Sequence, residues 1–158
     1  MSERNSYYSI ACDEFMYFRD SVNVNYCNPA AAQAQQIVEK MLKSVAELVC
    51  TDIEHLMKSY NLRALYDEIH KVDAQFILDR NALSTLKDYY FDARYPGDNF
   101  VVVTPEELQE AIEIVLHTVQ VVENWREQHG YEVKLGNVRE LFKPALVRLT
   151  TIKEMKAF

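Results

Sequence analysis

Glycine and proline are both scarce in this chain. The sequence has three glycines and four prolines among 158 residues, whereas sandwiches and barrels need such residues at many closely spaced turns. Three glycines also cannot build a glycine-rich phosphate-binding loop. This scarcity favours long helices joined by few turns, within a single domain that is large enough to bury a hydrophobic core.

Paired cysteines, long apolar runs and a positive net charge are missing as well. Cys12, Cys27 and Cys50 are odd in number and lack the spacing of a metal site, which favours reduced thiols. No apolar run is long enough to cross a bilayer and the first residues do not resemble a signal peptide, so we expect a soluble cytoplasmic protein without membrane contact. Because the net charge is −7, any nucleic-acid binding requires a local basic patch.

Apolar residues recur with helical spacing through most of the chain. Bulky residues return every three or four positions over 8–22, which is typical of one helix face. The stretch 28–49 repeats this pattern, with Asn28 as the expected N-cap. Shorter patterns predict helices over 62–72 and 81–90.

The helix signal is most complete after residue 103. The run TPEE, residues 104–107, combines an N-cap, a proline in the first turn and a capping-box glutamate. The chain beyond Gly130 is expected to contain a short extended piece and one or two helices, broken near Pro144. The sequence therefore predicts an all-α, antiparallel up-and-down bundle of four to five helices in residues 1–130, with a C-terminal helical appendage, 131–158, packed on the same domain.

Two short motifs carry a resemblance to a known family. The first is A-Q-Q-x-x-E-K-x-L-K, from Ala34 to Lys43, and the second is A-R-Y-P-G, from Ala93 to Gly97. Because they stand in the right order on the predicted helices and are followed by a capped long helix, they resemble the HEPN family of small helical domains, found in prokaryotes and in some large eukaryotic chaperone-like proteins. The resemblance covers roughly residues 7–127, and it implies a helical bundle that often forms homodimers.

The resemblance implies one of two functions. Some members of the family resemble metal-independent endoribonucleases, often toxins, whose signature is an arginine, four to six residues, and a histidine near the start of the last long helix. No histidine follows Arg94 at that distance. The literal match, Arg63 to His70, lies on an earlier predicted helix, so a toxin-like ribonuclease using these two residues is the alternative function.

Other members lack the signature and resemble non-catalytic modules that bind a nucleotide or assist a minimal nucleotidyltransferase. This function is the leading expectation, without a cofactor. Arg94 would hold a phosphate, and Tyr95 or Tyr90 would offer an aromatic face to a base. Lys40 or Lys43 would add a second positive charge.

Arg94 and the lysines also have structural interpretations. Arg94 would then bond the carbonyl groups that end its helix, or pair with Glu39 or Asp13. The lysines would belong to a solvated helix face with four-apart pairs such as Gln36–Lys40. No metal site is expected. Asp52–His55 and Asp67–His70 have acid–histidine spacing, but they use Asp where a helical di-metal site usually has Glu, and they flank a segment that is predicted to be partly loop.

Surplus apolar residues on the first and the last bundle helix predict a homodimer. These residues extend beyond the seam that a single chain needs to bury: Tyr7, Met16, Tyr17, Leu116 and Val121. A purely structural homodimeric interaction protein is the remaining interpretation of the chain.

Overall fold

Helices form the regular secondary structure of the chain. The computed structural model describes the backbone of residues 6–51, 54–86 and 88–156 and the side chains up to residue 150, and these ranges contain no β-strand. The bundle within them is built from α1 (Tyr7–Ser21), α2 (Cys27–Val49), α4 (Leu62–Val72), α7 (Pro105–Gln128) and α8 (Val138–Lys156). Shorter helices between them are α3 (Glu54–Met57), α5 (Arg80–Leu86) and α6 (Tyr89–Asp92). The all-α prediction is confirmed.

Helix α2 lies at the centre of the bundle. It packs against α1, α4, α6 and α7, and Ile37, Met41 and Val45 along it are fully buried. The predicted stripe of α1 is buried against it: Tyr8, Ala11, Phe15, Phe18 and Val22. By contrast, Leu48 and Val72 remain 40% and 59% exposed, because each lies in the last turn of its helix.

The start of α7 has the predicted capping box. The Thr104 hydroxyl accepts a hydrogen bond from the Glu107 backbone N–H at 3.1 Å, and the Glu107 carboxylate accepts one from the Thr104 N–H at 3.1 Å. These reciprocal bonds satisfy backbone donors that have no partner within the helix. The apolar seam that follows is buried: Leu108, Ile112, Val115, Val119 and Val122.

Thr104→Ala is expected to lower the free energy of unfolding by about 1 kcal/mol, because the Glu107 N–H loses its acceptor. Urea denaturation measures the change. Thr85→Ala is the matched control, since the Thr85 hydroxyl bonds the Asn81 carbonyl inside α5 and caps no helix. An equal loss for both variants would contradict the capping role.

The C-terminal segment contains a helix that continues through Pro144, so the predicted break near this proline is wrong. Helix α8 runs from Val138 to Lys156 through this proline, although an interior proline costs a helix about 3 kcal/mol. Packing offsets the cost: the Phe142 ring is fully buried, with its centroid 5.7 Å from those of Phe15 and Phe18. Truncating such a ring typically costs about 3–5 kcal/mol, which is enough to hold α8 on α1.

A buried carboxylate fastens the connection between α7 and α8 to α1. Glu123 is 1% exposed, and it accepts hydrogen bonds from the Tyr8 hydroxyl at 2.5 Å and from the N–H groups of Leu135 at 3.1 Å and Gly136 at 3.2 Å. Burial and the bond to Glu123 raise the pKa of the Tyr8 phenol above its usual range. Burial also raises the pKa of the neighbouring Cys12 thiol to about 12, so both groups stay protonated at neutral pH.

Fewer surplus apolar residues are exposed than the sequence suggests. Leu116 is 2% exposed, so its predicted place at a homodimer surface is wrong: α7 is covered by α2, α5 and α8 and buries more than one seam. Tyr17 is 64% exposed, and homodimerisation stays a prediction.

Within the described residues, no helix has both the length and the apolar character of a membrane span.

Candidate ligand-binding groove

An open groove lies beside the connection between α6 and α7. Its volume is about 890 Å³, within the range of small-molecule sites. Three predicted ligand-binding residues, Lys40, Tyr90 and Arg94, meet in it. The described residues that line it come from α1, α2, α6 and the loop after α6: Glu14, Asn28, Pro29, Ala32, Gln33, Gln36, Lys40, Tyr90, Ala93, Arg94, Phe100 and Val102.

Asn28 holds the loop wall of this groove in place. Its side-chain amide donates to the carbonyls of Ala93 at 3.0 Å and Val101 at 2.7 Å, and its carbonyl oxygen accepts from the Val103 N–H at 2.8 Å. The prediction that Asn28 is the N-cap of its helix is wrong, because α2 already begins at Cys27. The side chain therefore joins both ends of the loop to α2.

Arg94 lies exposed at the groove with its guanidinium beside two aromatic rings. The guanidinium carbon is 4.9 Å from the Tyr90 ring centroid and 5.5 Å from that of Tyr95, distances that suit cation–π contact. The Arg94 side chain forms no hydrogen bond or ion pair with any described residue, so neither the alternative bonds to the carbonyl groups that end its helix nor the pairings with Glu39 and Asp13 are present. Its N–H donors are consequently open to a ligand.

The aromatic faces near Arg94 are unequally available. Tyr90 already contacts Arg94, and its ring lies parallel to that of Tyr60 with centroids 5.7 Å apart. Tyr95 and Phe100 are 51% and 47% exposed. Both line an adjoining depression of about 490 Å³, and Phe100, like Tyr90, lines the groove as well.

Lys40 is paired within the groove. Its ammonium group forms an ion pair with Glu14 of α1, and the two side chains are 22% and 28% exposed. The predicted four-apart pair of Gln36 with Lys40 is wrong, because the Gln36 amide donates to Gln35 instead. Glu14 thus bridges α1 to α2 and compensates the positive charge that was expected to serve a ligand.

Lys43 lies in the protein interior and does not line the groove. It is 5% exposed and donates to Glu39 at 3.2 Å and to the Met57 carbonyl at 2.7 Å. Glu39 also accepts from Gln35 at 3.2 Å. The solvated-face interpretation is therefore wrong for Lys43. The contacts of α2 with its neighbours bury Lys43 together with Gln35 and Glu39, and these three side chains form hydrogen bonds with one another.

Arg63 and His70, the alternative catalytic pair, both lie on α4 and outside the groove lining. His70 Nδ1 is 2.9 Å from the Phe76 carbonyl oxygen, and its ring packs beside Tyr66. Arg63 Nε is buried without a hydrogen-bond partner among the described residues. The contacts of His70 fasten the end of α4 to the segment that follows it.

The described part of the chain contains no group of three or more His, Cys, Asp or Glu side chains that could hold a metal ion. Asp52, one member of the acid–histidine pairs, lies outside the described residues.

Glu14 and Phe100 are groove residues that the sequence did not single out, and Asn28 was assigned another role. Glu14 is an ordinary helix glutamate in the sequence, and nothing local connects it to Lys40, 26 residues away. Phe100 had a weak signal, since it follows the A-R-Y-P-G motif within the same loop.

Comparison with known proteins agrees with the two motifs. The family model described as HEPN domain matches residues 5–125, a span that includes every residue lining the groove. Curated proteins and solved structures gave no match. The chain belongs to the HEPN domain family, whose members are nucleotide- or RNA-related modules.

Proposed function

We propose that this HEPN domain is a non-catalytic module that binds a nucleotide in the groove, with Arg94 as the phosphate-binding residue. The observation that carries the proposal is the Arg94 side chain, which is exposed, lies against two tyrosine rings and has no hydrogen bond or ion pair to a described residue. A guanidinium presents its N–H donors in one plane, and this fork pairs with two oxygens of a phosphate.

The remainder of the groove suits a base better than further phosphates. Gln33 and Gln36 line it with side-chain amides, which offer both donors and acceptors to the edge of a base. Phe100 provides a half-exposed ring for stacking. Tyr90 would serve as the support of Arg94, since its ring already has partners.

Electrostatics predict modest affinity for such a ligand. The chain carries a net charge of −7, so its overall field opposes an anion. Arg94 is the one lining cation without a described charge partner, because Lys40 is paired. We therefore expect binding that weakens as the salt concentration rises.

Arg94→Ala is expected to reduce nucleotide affinity by about tenfold or more, the loss typical of one charge-assisted pair. Titration calorimetry with adenosine and guanosine nucleotides at low salt measures it. Arg139→Ala is the matched control, because Arg139 is an exposed arginine that pairs with Glu113 and does not line the groove.

Equal affinity of folded Arg94→Ala and wild type would contradict the assignment of Arg94, and absence of binding to wild type would contradict the proposed function. Thermal unfolding of each variant accompanies the titrations. The Arg94 side chain makes only ring contacts to described residues, so a melting temperature close to that of wild type is expected.

A second candidate function is that of an accessory partner to a minimal nucleotidyltransferase. The exposed aromatic cluster of Tyr60, Phe91, Tyr95 and Phe100 supports it, because these rings are 47–51% exposed around Arg94. Tyr, Phe and Arg are enriched at protein interfaces. Calorimetric titration of a candidate nucleotidyltransferase into wild type tests this function, and binding that survives Arg94→Ala and Tyr95→Ala would contradict the use of this surface.

The ribonuclease alternative has less support from the contacts of its residues. His70 Nδ1 is engaged with a backbone carbonyl, and neither His70 nor Arg63 lines the groove. Metal-independent RNA cleavage that is lost in both Arg63→Ala and His70→Ala would nevertheless establish it in place of the non-catalytic module.

A further inference from the structure

The charged side chains that line the groove are Arg94, Lys40 and Glu14. Arg94 has no charge partner among the described residues, whereas Lys40 and Glu14 form an ion pair. The lining therefore presents one uncompensated positive charge to a ligand, although it contains two cationic side chains.

The Lys40–Glu14 pair is partly buried, so Glu14 competes strongly with an incoming anion for the Lys40 ammonium group. The two side chains are 22% and 28% exposed, so solvent screens their attraction less than that of a fully exposed pair. A second phosphate that approached Lys40 would have to displace the Glu14 carboxylate, and it would also meet the negative charge of that carboxylate.

The Glu14 carboxylate accepts no described hydrogen bond other than the one from Lys40. Its Oε2 atom is buried without a hydrogen-bond partner among the described residues, and its Oε1 atom accepts from Lys40. Replacing Glu14 by glutamine therefore removes a charge while it breaks no other described hydrogen bond. The side chain retains its length and its amide carbonyl still accepts a hydrogen bond.

We infer that Glu14 is a specificity-determining residue: by holding Lys40, it makes the groove take a nucleotide with a single phosphate group and disfavours polyphosphates. This inference rests on the proposed nucleotide binding at Arg94. The single phosphate lies on Arg94 and the base lies beside Gln33 and Gln36. Additional phosphates meet no unpaired cation among the described lining residues.

The test compares AMP, ATP and inorganic tripolyphosphate, without divalent metal, by titration calorimetry. Wild type is expected to bind AMP more tightly than ATP by about threefold or more, because the additional phosphates of ATP meet the Glu14 carboxylate. Glu14→Gln is expected to tighten ATP binding by about tenfold and AMP binding by less than about threefold, because one charge-assisted contact becomes available to the additional phosphates. Lys40→Met in the Glu14→Gln background should abolish the gain.

Controls separate this inference from the proposed function. Glu127→Gln removes an exposed glutamate outside the groove lining and should leave the preference unchanged, which corrects for the overall change in net charge. Melting temperatures verify folding, and Glu14→Ala provides a second variant that also frees Lys40.

Unchanged ATP affinity in both folded Glu14 variants, or equal gains for AMP and ATP, would overturn the role of Glu14. Absence of nucleotide binding to wild type would instead overturn the proposed function. In that case, tripolyphosphate binding that appears with Glu14→Gln and disappears with the added Lys40→Met would still support the masking of Lys40, and its absence would overturn it.

Discussion

Glu123→Ala is expected to lower the free energy of unfolding by about 3–5 kcal/mol. The change leaves the Tyr8 hydroxyl and the N–H groups of Leu135 and Gly136 without the acceptor they share in the protein interior. A typical domain is stable by only about 5–15 kcal/mol, so this loss is a large fraction of the total. Urea denaturation followed by circular dichroism measures it.

Two other variants show whether the buried cluster causes the loss. Glu127→Ala changes an exposed glutamate one turn further along α7 and should stay within about 0.5 kcal/mol of wild type. Tyr8→Phe removes one donor to Glu123 and should cost about 1–3 kcal/mol. If Glu123→Ala were no more destabilising than Glu127→Ala, the cluster would not be what fastens the segment before α8.

Asn28→Ala is expected to lower the free energy of unfolding by about 2–4 kcal/mol and to weaken nucleotide binding by about tenfold or more. Three hydrogen bonds to Ala93, Val101 and Val103 are lost together. The Val103 residue is 4% exposed, so water replaces its lost acceptor poorly. The loop that carries Arg94 then loses its attachment to α2.

Amide hydrogen exchange at Val103 gives a local reading of this change, because its N–H donates to Asn28 and should exchange faster in the variant. Asn99→Ala is the matched control: Asn99 is an exposed asparagine of the same loop whose side chain makes no hydrogen bond to a described residue. Unchanged Val103 exchange in Asn28→Ala would contradict the anchoring role. Faster exchange with unchanged nucleotide affinity would show that Asn28 stabilises the fold but does not contribute to nucleotide binding.

The candidate site divides into residues that sequence motifs located and residues that they misplaced. Arg94 and Tyr90 lie where the A-R-Y-P-G loop and the helix before it suggested, because they are close in sequence and share one exposed turn. Lys43 was misplaced because a four-apart glutamate–lysine pair has the same sequence on a solvated face and in the interior. Its burial depends on helices that lie far away along the chain.

Asn28 and Pro144 were also misassigned because contacts distant in sequence decide their roles. An asparagine before a proline at a helix start is a good N-cap by local rules, and a proline predicts a helix break. Here the loop 93–103 comes within reach of the Asn28 amide, and Phe142 is buried against α1. These tertiary contacts outweigh the local preferences.

The sequence by itself determined the all-helical class, the apolar seams of α1 and α7, and the capped start of α7 at Thr104. These features depend on periodicity and on bonds between residues three or four apart, so the amino-acid sequence is sufficient to predict them. Tertiary structure alone decided that Glu14 would neutralise Lys40 and that Glu123 would be buried beneath the segment before α8. Each of these contacts joins helices distant in sequence, and its energy depends on a burial that only the packed bundle creates.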